Sequence, residues 1–353
     1  MQKTRYFEFD LLKVMVLILM PMSHIFDEFG FYYNLMNNIP DNYVTQLGLL
    51  FMNIPAIFMI CLGFGVVFSK NSTPGKLLRR GLWMFIIEAI LNLFRIIIPH
   101  SVAGYLTGIS EYITESFERS LMSDILPFAG CAFLFFALIK KLNISKICVL
   151  TIGIMCTIIQ TFIPQPEITN TYLRYLAGYF IYVDSSSFFP IVSWMIYPII
   201  GYVLGVFFVK TENKTKFYLK VGGFGLLMFL LTNFYLIFTD SMQPRYYLFM
   251  ETGFHMDLFT TLIVMSTSLI YLGVSYFICK IFSRKIQGII ASISVNINSI
   301  YCIHWVLVKI LWCVAIVFAF KIEYNYLFII GFLIFVLSAI LASLRYKLMH
   351  FNH

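Results

Sequence analysis

The sequence predicts an all-α, polytopic membrane protein of about ten transmembrane helices, and three observations carry that prediction. The 353 residues are 60% hydrophobic and only 12% charged, where soluble domains carry roughly 25% charged residues. Apolar runs recur at the length of about 20 residues that a hydrocarbon core about 30 Å thick requires. Basic residues cluster on every second connection, as the positive-inside rule asks of a multi-span chain.

The first run covers 9–29. It begins behind Lys3 and Arg5 like a signal peptide, but it contains Asp10 and Lys13, lacks a small-residue cleavage site and is followed by further spans, so it reads as retained. The second (47–69) ends at Lys70, and Lys76, Arg79 and Arg80 introduce the third (77–98). The fourth (121–139) closes on Lys140 and Lys141, and the fifth (147–163) follows Lys146. Lys210, Lys214, Lys216 and Lys220 mark the connection between the sixth (188–209) and seventh (217–238). The eighth (258–281) runs into Lys280, Arg284 and Lys285, and the tenth (326–344) ends at Arg345 and Lys347.

These connections hold 19 of the 25 Lys and Arg, which makes them cytoplasmic and puts both termini on the cytoplasmic side. The opposite loops carry Glu28, Asp41, Glu111, Glu115, Glu118, Glu167, Asp184, Asp240 and Glu251. The net charge of +8 therefore records topology and adhesion to anionic lipid, and no nucleic-acid patch is seen.

The ninth run, 289–320, is too long for one crossing at 1.5 Å per residue. Its polar start (Ser292, Ser294, Asn296, Asn298, Ser299) is expected at an interface or lining a cavity. Residues 111–119 are expected to form a short amphipathic helix on the membrane surface. No soluble domain, long linker or internal repeat is visible, so residues 1–353 read as a single transmembrane domain. The seven cysteines all lie in apolar segments without metal-ligand spacing, which suits small apolar fillers, and no metal site is expected.

Ionisable groups inside spans are costly and usually face the bundle interior. The first span carries Asp10, Lys13, His24 and Asp27. Lys13 and His24 are eleven residues apart, within about 20° of three full turns and about 16 Å along the axis, and Asp10 shares their stripe. A cation near the inner mouth with a titratable imidazole deeper in suits a long anionic donor threaded into the membrane. Asp27, three residues beyond His24, is placed to orient the imidazole. The plainer alternative makes Asp10 and Lys13 an interfacial i,i+3 pair and His24 a satisfied interior residue.

In the third span Glu88, Asn92 and Arg95 share a helical face, as a structural ion pair would require, and Arg79 and Arg80 are placed to hold phosphates at the cytoplasmic surface. His304, behind the polar run and beside Tyr301 and Trp305, is a candidate second wall of the site. Asp124 opens the fourth span from outside, where it suits an N-cap and is carried as a candidate on the acceptor side. His100, His255, His350 and His353 fall in outer connections or the tail and are left unassigned.

The run from Arg5-Tyr-Phe-Glu-Phe-Asp10-Leu-Leu-Lys13 to Met22-Ser-His24-Ile-Phe-Asp27 resembles the transmembrane acyltransferases. That superfamily includes the acyltransferase-3 proteins and the relatives of heparan-α-glucosaminide N-acetyltransferase. Its pattern is an Asp, a basic residue three later, then ten residues and a His. Lys13 stands where the family usually has Arg, keeping the charge and losing the guanidinium fork. Weaker matches are the segment 55–63 with Leu77-Leu-Arg79-Arg80-Gly81, the segment 189–201, and Ser299-Ile-Tyr301-Cys-Ile-His304.

The resemblance implies a bacterial plasma-membrane enzyme that moves an acyl group, usually acetyl, from cytoplasmic acetyl-CoA to an extracytoplasmic sugar of a glycan or glycolipid. Lys13, Arg79, Arg80 and Asp10 would serve the donor, and His24 with Asp27 the chemistry. His304 and Asp124 would serve the acceptor. His24 would act as general base or carry the acyl group itself. Homo-oligomerisation stays open. The rival class is a transporter or flippase using Asp10, Glu88, His24 and His304 as a proton or substrate path.

Overall fold

A computed structural model of the protein describes residues 5–31, 41–70, 72–184, 186–239 and 256–350. Among them there is no β-strand, only one isolated bridge between Ser123 and Ser187. All ten expected segments are helical, but the count of ten crossings is not confirmed. Seven helices are long and apolar enough to cross a membrane: Phe7–Phe29, Pro74–Thr107, Ile191–Lys210, Lys214–Phe238, Leu258–Cys279, Ile297–Phe318 and Asn325–Tyr346. Asn53–Phe68 and Lys146–Phe162 are apolar but shorter, and Ile125–Lys141 has 17 residues. The chain is an integral membrane protein.

The chain folds as two compact units. Unit one comprises residues 1–54, 90–120 and 275–353. Its axis is α1 (Phe7–Phe26), which continues into a π turn, Asp27–Phe31. The third expected span does not stop at 98. Helix α3 (Pro74–Asn92) passes through a second π turn (Leu93–Ile97) into α4 (Ile98–Thr107). Pro99 has no N–H and crowds the carbonyl four residues back, and the wider turn before it absorbs that mismatch. Gly108, at φ 75°, ends α4 in the left-handed region. The expected helix α5 (Glu111–Arg119) follows and packs on α4.

The long ninth run breaks as its length demanded, at Asn296, into α13 (Arg284–Val295) and α14 (Ile297–Phe318). Its polar start is thereby shared between the end of α13 and the first turn of α14. The last helix, α15 (Tyr324–His350), lies along α1 and α14. Gly331 makes the α1 contact possible, since a Cβ there would lie 2.5 Å from Met22 Cα. Apolar clusters follow α1 along its length: Leu11 and Val14 with Cys279 and Ile290, then Leu17 with Ile300 and Phe335, then Ile25 and Phe26 with Val308 and Trp312.

Unit two comprises residues 55–89 and 121–274. It holds the second part of α2 (Asp41–Phe68), the first part of α3, α6 (Ile125–Lys141), α7 (Lys146–Phe162), the short α8 (Thr171–Gly178), α9 (Ile191–Trp194), α10 (Ile196–Lys210), α11 (Lys214–Phe238) and most of α12 (Leu258–Cys279). Glycine lets its helix backbones approach closely. A Cβ on Gly63 would lie 2.0 Å from Pro198 O, and one on Gly201 would lie 2.1 Å from Ile60 O, so α2 and α10 touch backbone to backbone. Gly81 against Gly130 does the same for α3 and α6.

Candidate active site

The candidate site is built on α1, whose first turns are fixed by polar contacts. Asp10 is buried. Its Oδ2 accepts from Arg5 Nε at 2.5 Å and its Oδ1 from Ser294 Oγ at 2.6 Å, while Arg5 also donates to Ala291 O at 2.8 Å. Asp10 therefore ties α1 to α13 instead of forming the i,i+3 pair with Lys13 that the spacing suggested. Arg5 precedes the helix and α13 packs against this face, so both carboxylate oxygens are reached from outside α1. Lys13, half-buried, lies one turn further.

His24 comes about 21 Å beyond Asp10, one turn after Pro21, and its side chain is 20% exposed. Its ring stacks on the indole of Trp305, with centroids 3.8 Å apart, and lies parallel to His304, with centroids 5.4 Å apart and an interplanar angle of 7°. Trp305 is held in turn, because its Nε1 donates to Tyr301 Oη at 3.1 Å. The Asp27 carboxylate lies 3.9 Å from His24 Nδ1. That is an ion-pair separation, longer than a hydrogen bond.

His304 is fully buried. Its Nδ1 lies 3.1 Å from Ile300 O, and against a carbonyl Nδ1 must donate, which leaves the lone pair on Nε2. That Nε2 is buried and has no hydrogen-bond partner among the described residues. Arg95 completes the surroundings. Its guanidinium carbon is 4.9 Å from the Trp305 ring centroid, and its Nε donates to Asn92 Oδ1 at 2.8 Å. Asn92 in turn donates to Ser120 O.

Two imidazoles, one partly exposed and one with a buried lone pair, packed with aromatic rings and a guanidinium, make a site suited to base or nucleophilic chemistry. The family model for heparan-alpha-glucosaminide N-acetyltransferase, catalytic, matches residues 5–232, nearly two thirds of the chain, including all of α1. The chain belongs to that acetyltransferase family. No curated protein and no solved structure matches it.

The match to the acetyltransferase ends before α14, so His304 and Trp305 reach His24 from outside the matched stretch. Unit one thus holds Asp10, Lys13, His24, Asp27 and His304, and of these it brings His24, Asp27 and His304 together, with Asp10 and Lys13 lying several turns away on α1. The other candidates of the acetyltransferase, Arg79, Arg80 and Asp124, belong to unit two. Arg79 and Arg80 are exposed in the opening turns of α3, and the Arg80 guanidinium lies 4.2 Å from the Phe133 ring centroid. Asp124 caps α6 as expected, accepting from the Ile125 N–H at 2.5 Å. Glu88 is buried in unit two. Lys3, Asp240, Glu251, His255 and His353 lie outside the described residues.

A second buried group in unit one escaped the sequence reading. His100, expected in an outer connection, is fully buried in α4, because the helix continues past Pro99. Lys309 Nζ pairs with Glu28 Oε1 at 2.5 Å, their side chains 5% and 15% exposed. Lys309 is the only charged residue in α14. That alone was a signal, since a lone charge in an apolar helix calls for an interior partner.

Proposed function

We propose that this membrane acetyltransferase moves an acetyl group from cytoplasmic acetyl-CoA to a hydroxyl or amine on the far side of the membrane, with His24 as the catalytic residue. The acceptor is a sugar of a glycan or glycolipid, a class to which the glucosaminide in the family's name also belongs. The observation that carries this reading is the partly exposed His24 imidazole, itself inside the stretch matched by the family, stacked on Trp305 and parallel to His304. The basic clusters put the termini and the donor on the cytoplasmic side, and His24 sits well along α1 from that end.

The donor's phosphates suit cations, and Lys13 in unit one and, separately, the exposed Arg79 and Arg80 in unit two are groups of that kind. At the far end of the donor, His24 takes the proton of the acceptor O–H or N–H as that atom attacks the thioester carbonyl. The C–S bond then breaks, and the proton passes to the departing thiolate. In the alternative order, His24 attacks the thioester carbonyl and the C–S bond breaks with departure of the CoA thiolate. The acceptor oxygen or nitrogen then takes the acetyl group from His24 as its proton passes to that thiolate. In either order Trp305 and His304 pack on the ring and fix it, and Asp27 lies beside its Nδ1.

The test is an assay of the purified protein with acetyl-labelled acetyl-CoA and glycan acceptors. Wild type should release CoA and label an acceptor, and His24→Ala should lose this by about 10²- to 10⁴-fold. Label retained on the protein and absent from His24→Ala would select the two-step order. A wild type that neither binds acetyl-CoA nor releases CoA overturns the reading.

A further inference from the structure

Beyond His24, unit one repeats the same construction one turn further on. Glu28, in the π turn that continues α1, comes four residues after His24, as Lys309 comes four after Trp305 on α14, so the Glu28–Lys309 pair lies about 6 Å beyond the His24–Trp305 stack. His100 comes to it from α4. Five residues separate Arg95 and His100, which in an unbroken α-helix would point about 140° apart. The π turn takes up about 100° of that offset, since the Ile98 N–H reaches back five residues to Leu93 O. Arg95 thus meets Trp305, and His100 meets Trp312 with ring centroids 4.2 Å apart.

The two buried histidines share one chemistry. His100 Nδ1 lies 2.9 Å from Ile96 O and so donates, which leaves the lone pair on Nε2. That Nε2, in a side chain with no exposure, has no hydrogen-bond partner among the described residues. The Trp312 ring that His100 stacks on also has the Lys309 ammonium 5.3 Å from its centroid, and that ammonium is paired with the Glu28 carboxylate. The cluster is therefore a lone acceptor beside one strong donor and one strong acceptor. A pair of neighbouring hydroxyls satisfies all three groups. One O–H donates to His100 Nε2, the other donates to Glu28, and a hydroxyl oxygen accepts from Lys309. A buried ion pair contributes little to stability, and an unpartnered buried acceptor is destabilising, so packing alone does not account for the group.

We propose that Glu28, His100 and Lys309 form a subsite of this acetyltransferase for the vicinal hydroxyls of a sugar. It would hold the acceptor one helical turn beyond the transfer centre at His24. The inference rests on the acetyl-transfer reading above and adds the residues that select the acceptor.

The test uses the full-length protein in detergent with acetyl-CoA and glucosamine, a probe that carries vicinal hydroxyls and an amine. His100→Phe keeps the ring on Trp312 and removes Nε2, and the double variant Glu28→Gln/Lys309→Met removes both charges together. Each should raise the glucosamine KM about ten- to hundredfold, with the KM for acetyl-CoA and the melting temperature close to wild type. An unchanged glucosamine KM in both variants overturns the subsite and leaves the cluster structural. Calorimetric binding of glucosamine separates the two readings. Binding that needs His100 in a protein that transfers no acetyl group keeps the subsite and removes the transfer reading. Transfer that needs His24 but neither His100 nor Lys309 does the reverse. Absence of both binding and transfer overturns both.

Discussion

Both units bring helices close at glycine, Gly331 against Met22 in unit one included, and unit one adds an interface of ionisable and aromatic side chains. In unit two, glycines let helix backbones meet, as at Gly63 with Pro198 and Gly201 with Ile60. In unit one the interface of α1, α4 and α14 is filled by His24, Glu28, Arg95, His100, His304 and Lys309, interleaved with Trp305 and Trp312. Backbone contact costs little in lipid and holds a scaffold together. Buried ionisable groups are costly there and persist where they carry chemistry. Substitutions at the glycine contacts of unit two should therefore act on folding, and substitution of His24 at the unit-one interface on catalysis.

The largest effect is expected at His24. His24→Ala should abolish acetyl transfer, as above, while the melting temperature in detergent stays near wild type, because the ring is partly exposed and stacked on one face. A parallel collapse of folding would erase the distinction between the units. Next comes Lys309→Met alone, which strands a buried carboxylate and should cost about 3–5 kcal/mol of stability. Most of that should return in Glu28→Gln/Lys309→Met, a difference that thermal unfolding of the pair will read.

Gly201→Ala follows. Its new methyl would sit on the Ile60 carbonyl of a helix that cannot yield locally, and a loss of about 1–3 kcal/mol is expected. The acetyl-CoA KM of the folded fraction should be unaltered. Smallest is Ser294→Ala, which removes one of two bonds to Asp10 and should cost about 1 kcal/mol. A large loss of activity without loss of stability in Ser294→Ala would instead move Asp10 into the catalytic group.

Much of this was legible in the sequence for a local reason. Hydropathy placed the helices, excess length showed that the ninth run is not one simple crossing without saying where it breaks, and side-chain chemistry named the Asp124 cap and the α5 helix. His24 and His304 could both be named because each is an imidazole in an apolar setting. What was hidden depends on which helices meet and in what rotation. The bonds from Asp10 to Arg5 and Ser294 require α13 to return across α1, and nothing in the spacing of Asp10 and Lys13 contains that. Glu28 looked like a loop acid until Lys309, 281 residues away in the chain, came opposite it. Pro99 looked like the end of a span, because helical periodicity has no term for a wider turn.

The π turn at Leu93–Ile97 also makes the unit-one interface sensitive to reading length. Such a turn is an α-helix carrying one surplus residue, so it acts as a phase shifter for everything downstream. Deleting a single codon there would restore regular winding, turn the remainder of the helix by about 100° and draw it back by about 1.5 Å. Hydropathy, net charge and span length would scarcely register the change, yet His100 would swing off Trp312 while Arg95 stayed on Trp305. A one-residue indel at this point is therefore a route by which relatives with nearly identical spans could gain or lose the outer group as a whole.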